Sequence, residues 1–175
     1  MYGGADRRIP VDALSAKATA RPCAARRAVA VAQFPRMNAP AFPRPAEGYA
    51  GDVTPELACQ WWQSGKAVLV DVRSDAEREW VGFVPGAVPL AWKQWPGMAA
   101  NPGFDAGIRA AVPPGGKAVL LCRSGVRSIA AARRAAELGI EAYNILEGFE
   151  GDADEQGHRG RRGGWRLRGL PWRQN

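Results

Sequence analysis

Lys117-Ala-Val-Leu-Leu-Cys122-Arg123-Ser124-Gly125-Val126-Arg127-Ser128 is the stretch that decides how this chain of 175 residues folds. Val119, Leu120 and Leu121 form an unbroken apolar run after the turn-like Pro113-Pro-Gly-Gly116, the pattern of a strand buried on both faces of a parallel sheet. From Ile129 to Leu138 the Ala, Arg, Glu and Leu content favours helix, and Gly139 supplies the left-handed residue that stops it. Cys122 therefore stands at the carboxyl end of a buried strand, and the residues after it lie under a helix N-terminus. Backbone N–H groups from Arg123 to Ser128 lack intrahelical partners there, and with the helix dipole they form a cradle for negative charge. A thiolate fits that cradle.

Outward from this unit, the same alternation continues in both directions. Ala142 to Leu146 reads as the last strand, with Glu147-Gly148 turning out of it. Ala67 to Val72 is another buried strand, carrying Asp71 and Arg73 to the same rim as Cys122. Ser74 with Glu77 is a capping box, so a short helix starts there and carries Trp80 toward the core. Thr54 and Pro55 open an earlier helix that ends before Gly65, with Leu57, Ala58, Trp61 and Trp62 on one side and Cys59 read as core. Val53 is placed in a short strand before it, Ala87 to Leu90 in a further strand, and Phe104 to Val112 in a helix covering the sheet. Strands alternating with helices define an α/β class, with a mostly parallel sheet and helices on both faces. Ligands bind such sheets at the carboxyl rim. There Asp71 either accepts N–H groups of the Cys122 loop or caps its own turn, and Trp92, Lys93 and Trp95 either wall the pocket or pack as loop.

The net charge of +7 is concentrated at the ends: +5 in residues 1–36, +6 in 158–175 and −4 between them. A mildly acidic centre with basic ends argues against a nucleic-acid-binding domain. Residues 1–36 are Ala- and Arg-rich with Pro10, Pro22 and Pro35 interrupting any helix. They can be read as a weak secretion signal, as an organelle-type presequence, or as a dispensable, flexible extension, and the last reading is preferred. Residues 37–48, with Pro40, Pro43, Pro45 and Gly48, read as a stiff linker, 49–157 as the folded domain, and 158–175 as a basic tail anchored by Trp165 and Trp172. Cys23, Cys59 and Cys122 include no C-x-x-C pair and fit a reducing, cytoplasmic setting. His158 is the one histidine and reads as loop, so neither a metal nor a cofactor is expected. No apolar run is long enough to span a bilayer.

Cys122-Arg-Ser-Gly-Val-Arg127 resembles the active-site loop of the rhodanese superfamily. Val68-Leu-Val-Asp71-Val-Arg73, Gly82-Phe-Val-Pro85-Gly86-Ala87 and Tyr143-Asn-Ile-Leu-Glu-Gly148 follow the same family's order over roughly residues 50–150. The chain departs from the family at Phe83, where most members carry His, at Gly82, which falls one residue later after Asp71, and at Phe149, which replaces a second glycine. The resemblance implies a three-layer fold around a mostly parallel five-stranded sheet. It also implies a ping-pong sulfurtransferase in which Cys122 becomes a persulfide, with Arg123, Ser124, Gly125, Val126, Arg127 and Ser128 forming the substrate loop and Asp71 and Arg73 supporting it. The expected partners are a small sulfur donor and a thiophilic acceptor (cyanide, a thiol or a protein cysteine), acting on a monomer or homodimer. Because related mercaptopyruvate enzymes usually carry glycine in the loop's second position, Arg123 points to thiosulfate or a persulfide donor.

The helix N-terminus and the guanidinium groups of Arg123 and Arg127 favour the thiolate of Cys122 without a histidine base, and both arginines suit a dianionic donor. Phosphatases and arsenate reductases on the same fold are the rival class; their loop is one residue longer and holds a tetrahedral oxyanion. Arg127 stands five positions after Cys122, not six, which favours sulfur. A non-catalytic interaction module is the third alternative, and retention of Cys122 weighs against it.

Overall fold

The computed structural model describes residues 43–175. In chain order its elements are β1 (Arg44–Ala46), β2 (Tyr49–Val53), α1 (Pro55–Gln63), β3 (Val68–Asp71), α2 (Asp75–Val81), β4 (Val88–Pro89), β5 (Lys93–Gln94), β6 (Ala99–Ala100), α3 (Phe104–Ala111), β7 (Lys117–Leu121), α4 (Val126–Glu137) and β8 (Glu141–Ile145). The expected extension 1–36 and the first part of the expected linker lie outside the described residues.

Six strands form the main sheet in the order β1-β2-β8-β7-β3-β4, parallel throughout except for the antiparallel β1–β2 pair. This corrects the expected count of five. The extra strand comes from Pro43-Arg-Pro-Ala46, read from its prolines as linker. An outer strand need not donate along its free side, so Pro45 is tolerated there, and the pairing is irregular between Arg44 and Ala46. β5 and β6 form a separate small hairpin.

Side-chain alternation along β7 separates two apolar cores. Val119 and Leu121 point into one, with Leu57, Ala58 and Cys59 of α1 and with Phe149, Trp165 and Leu170 downstream. Ala118, Leu120 and Cys122 point into the other, with Phe104 and Ile108 of α3 and Ala131, Ala132 and Ala135 of α4. The helices thus cover both faces, giving three layers. The alanines of α4 let that helix sit close to the sheet, which draws its N-terminus over the end of β7.

The helix ends follow local chemistry. Thr54 caps α1 by accepting the Leu57 N–H, and Ser74 and Glu77 complete the reciprocal capping box of α2. Trp80 corrects the expectation of a core residue: it is 78% exposed, because α2 buries no side chain fully and lies along the rim. The tail runs back over the α1 face. Trp165 is fully buried and donates its Nε1–H to the Pro171 carbonyl at 2.8 Å. Trp172 meets Phe149 edge-on at 6.0 Å, and Arg173 forms an antiparallel bridge with Phe83. Arg168 binds Glu56 at 2.5 Å and also Glu147, tying the tail to α1 and to the turn after β8.

Candidate active site

Cys122 directly follows β7, is only 1% exposed, and lines a depression of about 720 Å³. The Gly125 N–H donates to its Sγ at 3.2 Å, and the Ser128 hydroxyl lies 3.1 Å from the same sulfur. Gly125 makes the tight return from strand to helix: its φ is +89°, and a side chain there would press on the Glu147 amide. Helix α4 starts at Val126, earlier than the composition of 129–138 suggested. Consequently the free N–H groups of its first turn lie within the loop.

The turn after β8 holds the loop from behind. Phe149 N–H donates to the Cys122 carbonyl at 2.8 Å and Glu150 N–H to the Arg123 carbonyl at 2.9 Å. Gly148 has φ +60°, and a Cβ there would come within 2.5 Å of the Cys122 carbonyl oxygen and 2.6 Å of the Ser124 nitrogen. Only glycine permits this approach.

The two loop arginines differ. Arg123 is exposed at the rim of the depression, with no side-chain hydrogen bond among the described residues. Arg127 instead reaches Glu77 of α2, with Nη1 and Nη2 donating to the two carboxylate oxygens at 2.8 and 2.5 Å. Burial by itself would raise the Glu77 carboxyl. The Arg127 fork and the Ser74 amide and hydroxyl outweigh it and bring that group down to about 2. Arg127 is held firmly in its charged form, chiefly by its hydrogen bonds to Glu77. Much of its charge is thus balanced within the protein.

Asp71 and Arg73 are both buried and form a closed pair. Asp71 Oδ1 accepts the Arg73 backbone N–H at 3.1 Å and its Nε–H at 2.9 Å, and Nη2 donates to Oδ2 at 2.6 Å. Of the two readings of Asp71, its own turn prevails over the catalytic loop. Arg73 also donates to the Gly82 carbonyl at 2.9 Å and lies 3.9 Å from the centre of the Phe149 ring. The departure at position 149 therefore supplies an aromatic cover for a buried guanidinium. Phe83 exchanges backbone hydrogen bonds with Arg173 of the tail.

The apolar side chains at the mouth of the depression come from three stretches of the chain, and of these Met98 carried no signal in the sequence. Trp95 is 66% exposed, Val126 70% exposed, and both border the depression with Trp80 and Met98. The two readings of this stretch, pocket wall or loop packing, divide between its tryptophans: Trp95 stands at the pocket while Trp92 packs against Phe104 with ring centres 4.7 Å apart. Behind Cys122, Ser128 Oγ also lies 2.6 Å from Asn144 Oδ1, and Asn144 Nδ2 donates to Asp52 at 2.8 Å. A polar Asn inside the apolar Ala142–Ile145 run was the available signal for that cluster. His158 lies away in the exposed 154–158 turn, its N–H donating to Asp154.

The chain belongs to the rhodanese-like domain family, whose family model matches residues 54–155. The crystal structure of Rv0390 from M. tuberculosis is similar at 46% identity and a TM-score of 0.66, over 73% of this chain and 99% of that one. An uncharacterised protein of Rickettsia conorii is 33% identical over 115 residues, covering 61% of this chain and 82% of its own length. A Rhodopseudomonas palustris protein titled as a possible tyrosine phosphatase aligns at 25% identity with a TM-score of 0.43, over 70% of this chain and 83% of that one.

Proposed function

We propose that this protein is a sulfurtransferase that carries a sulfane sulfur on Cys122. The observation that supports it best is the Cys122 Sγ in the lining of the depression, receiving the Gly125 N–H at 3.2 Å under the start of α4. In the first half-reaction the thiolate attacks the outer sulfur of thiosulfate. The sulfur–sulfur bond of the donor breaks, its electron pair leaves on sulfite, and Cys122 becomes a persulfide anion. In the second, an acceptor such as cyanide takes the outer sulfur and the electron pair of the Cys122 S–S bond returns to Sγ. Charge balances in each step, so the protein need supply no redox partner. Backbone N–H groups of the loop face the anionic outer sulfur in both directions.

Arg123 is the residue placed to draw an anionic donor to the rim, whereas Arg127 shapes the wall through Glu77. The apolar border of Trp80, Trp95, Met98 and Val126 favours a thiol or protein cysteine over cyanide as the working acceptor. Among the described residues no helix is long and apolar enough to cross a membrane, and the cysteine pattern supports a reducing, cytoplasmic setting for this reading. The test is a steady-state assay of thiosulfate with cyanide on the wild type and Cys122→Ser. Thiocyanate formation that disappears in the variant supports the reading; equal rates in both would remove it.

A further inference from the structure

Glu77 of α2 and Arg127 of α4 both line the depression that holds Cys122. Their ion pair belongs to the pocket wall and not to the outer surface, with the two side chains 21% and 18% exposed. Arg127 donates through Nη1 at 2.8 Å and Nη2 at 2.5 Å to the two oxygens of one carboxylate. The fork that would grip a sulfonate is therefore already filled. Ser74 holds the same carboxylate from its other side, its amide and its hydroxyl each 3.0 Å from Glu77 Oε2. The capping box of α2 thus fixes this anion in place against the loop.

The charges facing the sulfur follow from these pairs. Asp71 and Arg73 cancel in a buried pair, and Glu77 cancels Arg127. Arg123 remains at the rim, with Arg159 at the edge, where its Nη1 donates to the Gly151 carbonyl. Without Glu77 the second guanidinium of the loop would meet an incoming dianion unopposed. In a partly enclosed site one unit of charge weighs more on binding than it does in open water. The apolar border of Trp80, Trp95, Met98 and Val126 also offers an organic donor a surface that the thiosulfate ion cannot use.

We propose that Glu77 is a specificity-determining residue: by occupying Arg127 it lowers the positive charge facing Cys122 and weights the site toward sulfane donors with one negative charge on an organic body. Thiosulfonates and organic persulfides are such donors. Thiosulfate still reacts, but less efficiently than two free loop arginines would allow. With a thiosulfonate the loading step balances as it does with thiosulfate. The thiolate attacks the outer sulfur, the donor S–S bond breaks, its electron pair leaves on a sulfinate instead of sulfite, and Cys122 becomes a persulfide anion.

The inference rests on sulfur transfer through Cys122, and its test compares two donors on one enzyme. Methanethiosulfonate is thiosulfate with a methyl group in place of one charged oxygen, so the two differ in charge while the reacting S–S bond is shared. Donor kcat/KM is measured by thiocyanate formation with cyanide as acceptor, which in a ping-pong reaction reports the loading step alone. The readout is the ratio of thiosulfate to methanethiosulfonate, in which losses of folded enzyme or of Cys122 reactivity cancel. Glu77→Gln should raise that ratio about five- to tenfold, since a dianion gains more than a monoanion from one added positive charge. Arg127→Gln should lower it by a similar factor. The double variant restores the net charge of the pair to zero and should return within about twofold of wild type. An unchanged or lowered ratio in Glu77→Gln overturns the proposal, because a carboxylate that only braces the loop leaves donor preference alone. If Glu77→Gln does not fold, the double variant decides: a ratio well below wild type shows that Arg127 binds the dianion in spite of Glu77. Turnover of neither donor by the wild type would overturn the sulfur-transfer reading and this inference with it, whereas turnover of both with a ratio that Glu77 does not move overturns the inference alone.

Discussion

Replacing Glu77 by Gln isolates the ion pair that braces the catalytic loop against α2. Gln keeps the size of the side chain and an oxygen for the Ser74 amide, but loses the charge that Arg127 grips at 2.5 and 2.8 Å. The folded Glu77 carboxyl lies at about 2 against an ordinary 4.5, which corresponds to at most roughly 3 kcal/mol. The pair is about one-fifth exposed, and solvent screening reduces the expected loss to about 1–2 kcal/mol. Because the folded value lies below the unfolded one, this stabilisation is present in full above 4.5 and fades as pH falls toward about 2. Urea unfolding of wild type and Glu77→Gln should therefore differ by about 1–2 kcal/mol near neutrality and converge in acid. Equal stabilities at neutral pH, or a gap that persists unchanged to about pH 2, would refute the assignment of that stabilisation to the charged pair.

Gly148→Ala should cost about 2–4 kcal/mol and most of the sulfur-transfer rate, because its methyl group meets the backbone of Cys122 and Ser124; thermal melting and the thiocyanate assay check both. Arg168→Met leaves Glu147 and Glu56 without their shared partner and should lower stability by about 1–3 kcal/mol by denaturant unfolding. Trp80→Ala with Trp95→Ala should reduce kcat/KM about tenfold or more for a cysteine peptide acceptor while leaving cyanide turnover within about twofold. Similar losses for both acceptors would show that the two rings support the loop instead of the acceptor.

Much of the site could be read from the chain because its chemistry is local. A buried run ending in Cys122, followed by a glycine turn and an alanine-rich helix, specifies a strand, a loop and an overlying helix N-terminus without distant information. The Ser74–Glu77 box is equally local. What escaped is long-range or set by which face an element exposes. Glu77 and Arg127 are 50 positions apart, and nothing in the capping motif says that the same carboxylate also takes a guanidinium across the pocket. Trp80 reads as core by size, yet α2 lies on the rim and leaves it in solvent. Pro45 disguised an edge strand as linker, since proline forbids central pairing but not pairing at an edge. Asp71 carried two readings because a carboxylate at a strand end serves either neighbour, and only the position of the Arg73 side chain decides between them.

The most direct measurement is the intact mass of the purified protein after incubation with thiosulfate, with peptide mapping of the product and a wild-type assay on aryl phosphates alongside. Sulfur transfer predicts a gain of one sulfur atom on Cys122, lost again on adding cyanide as thiocyanate forms, with negligible phosphate release. No adduct at Cys122, together with aryl phosphate hydrolysis that depends on Cys122, would contradict the sulfurtransferase reading and place the loop with oxyanion chemistry.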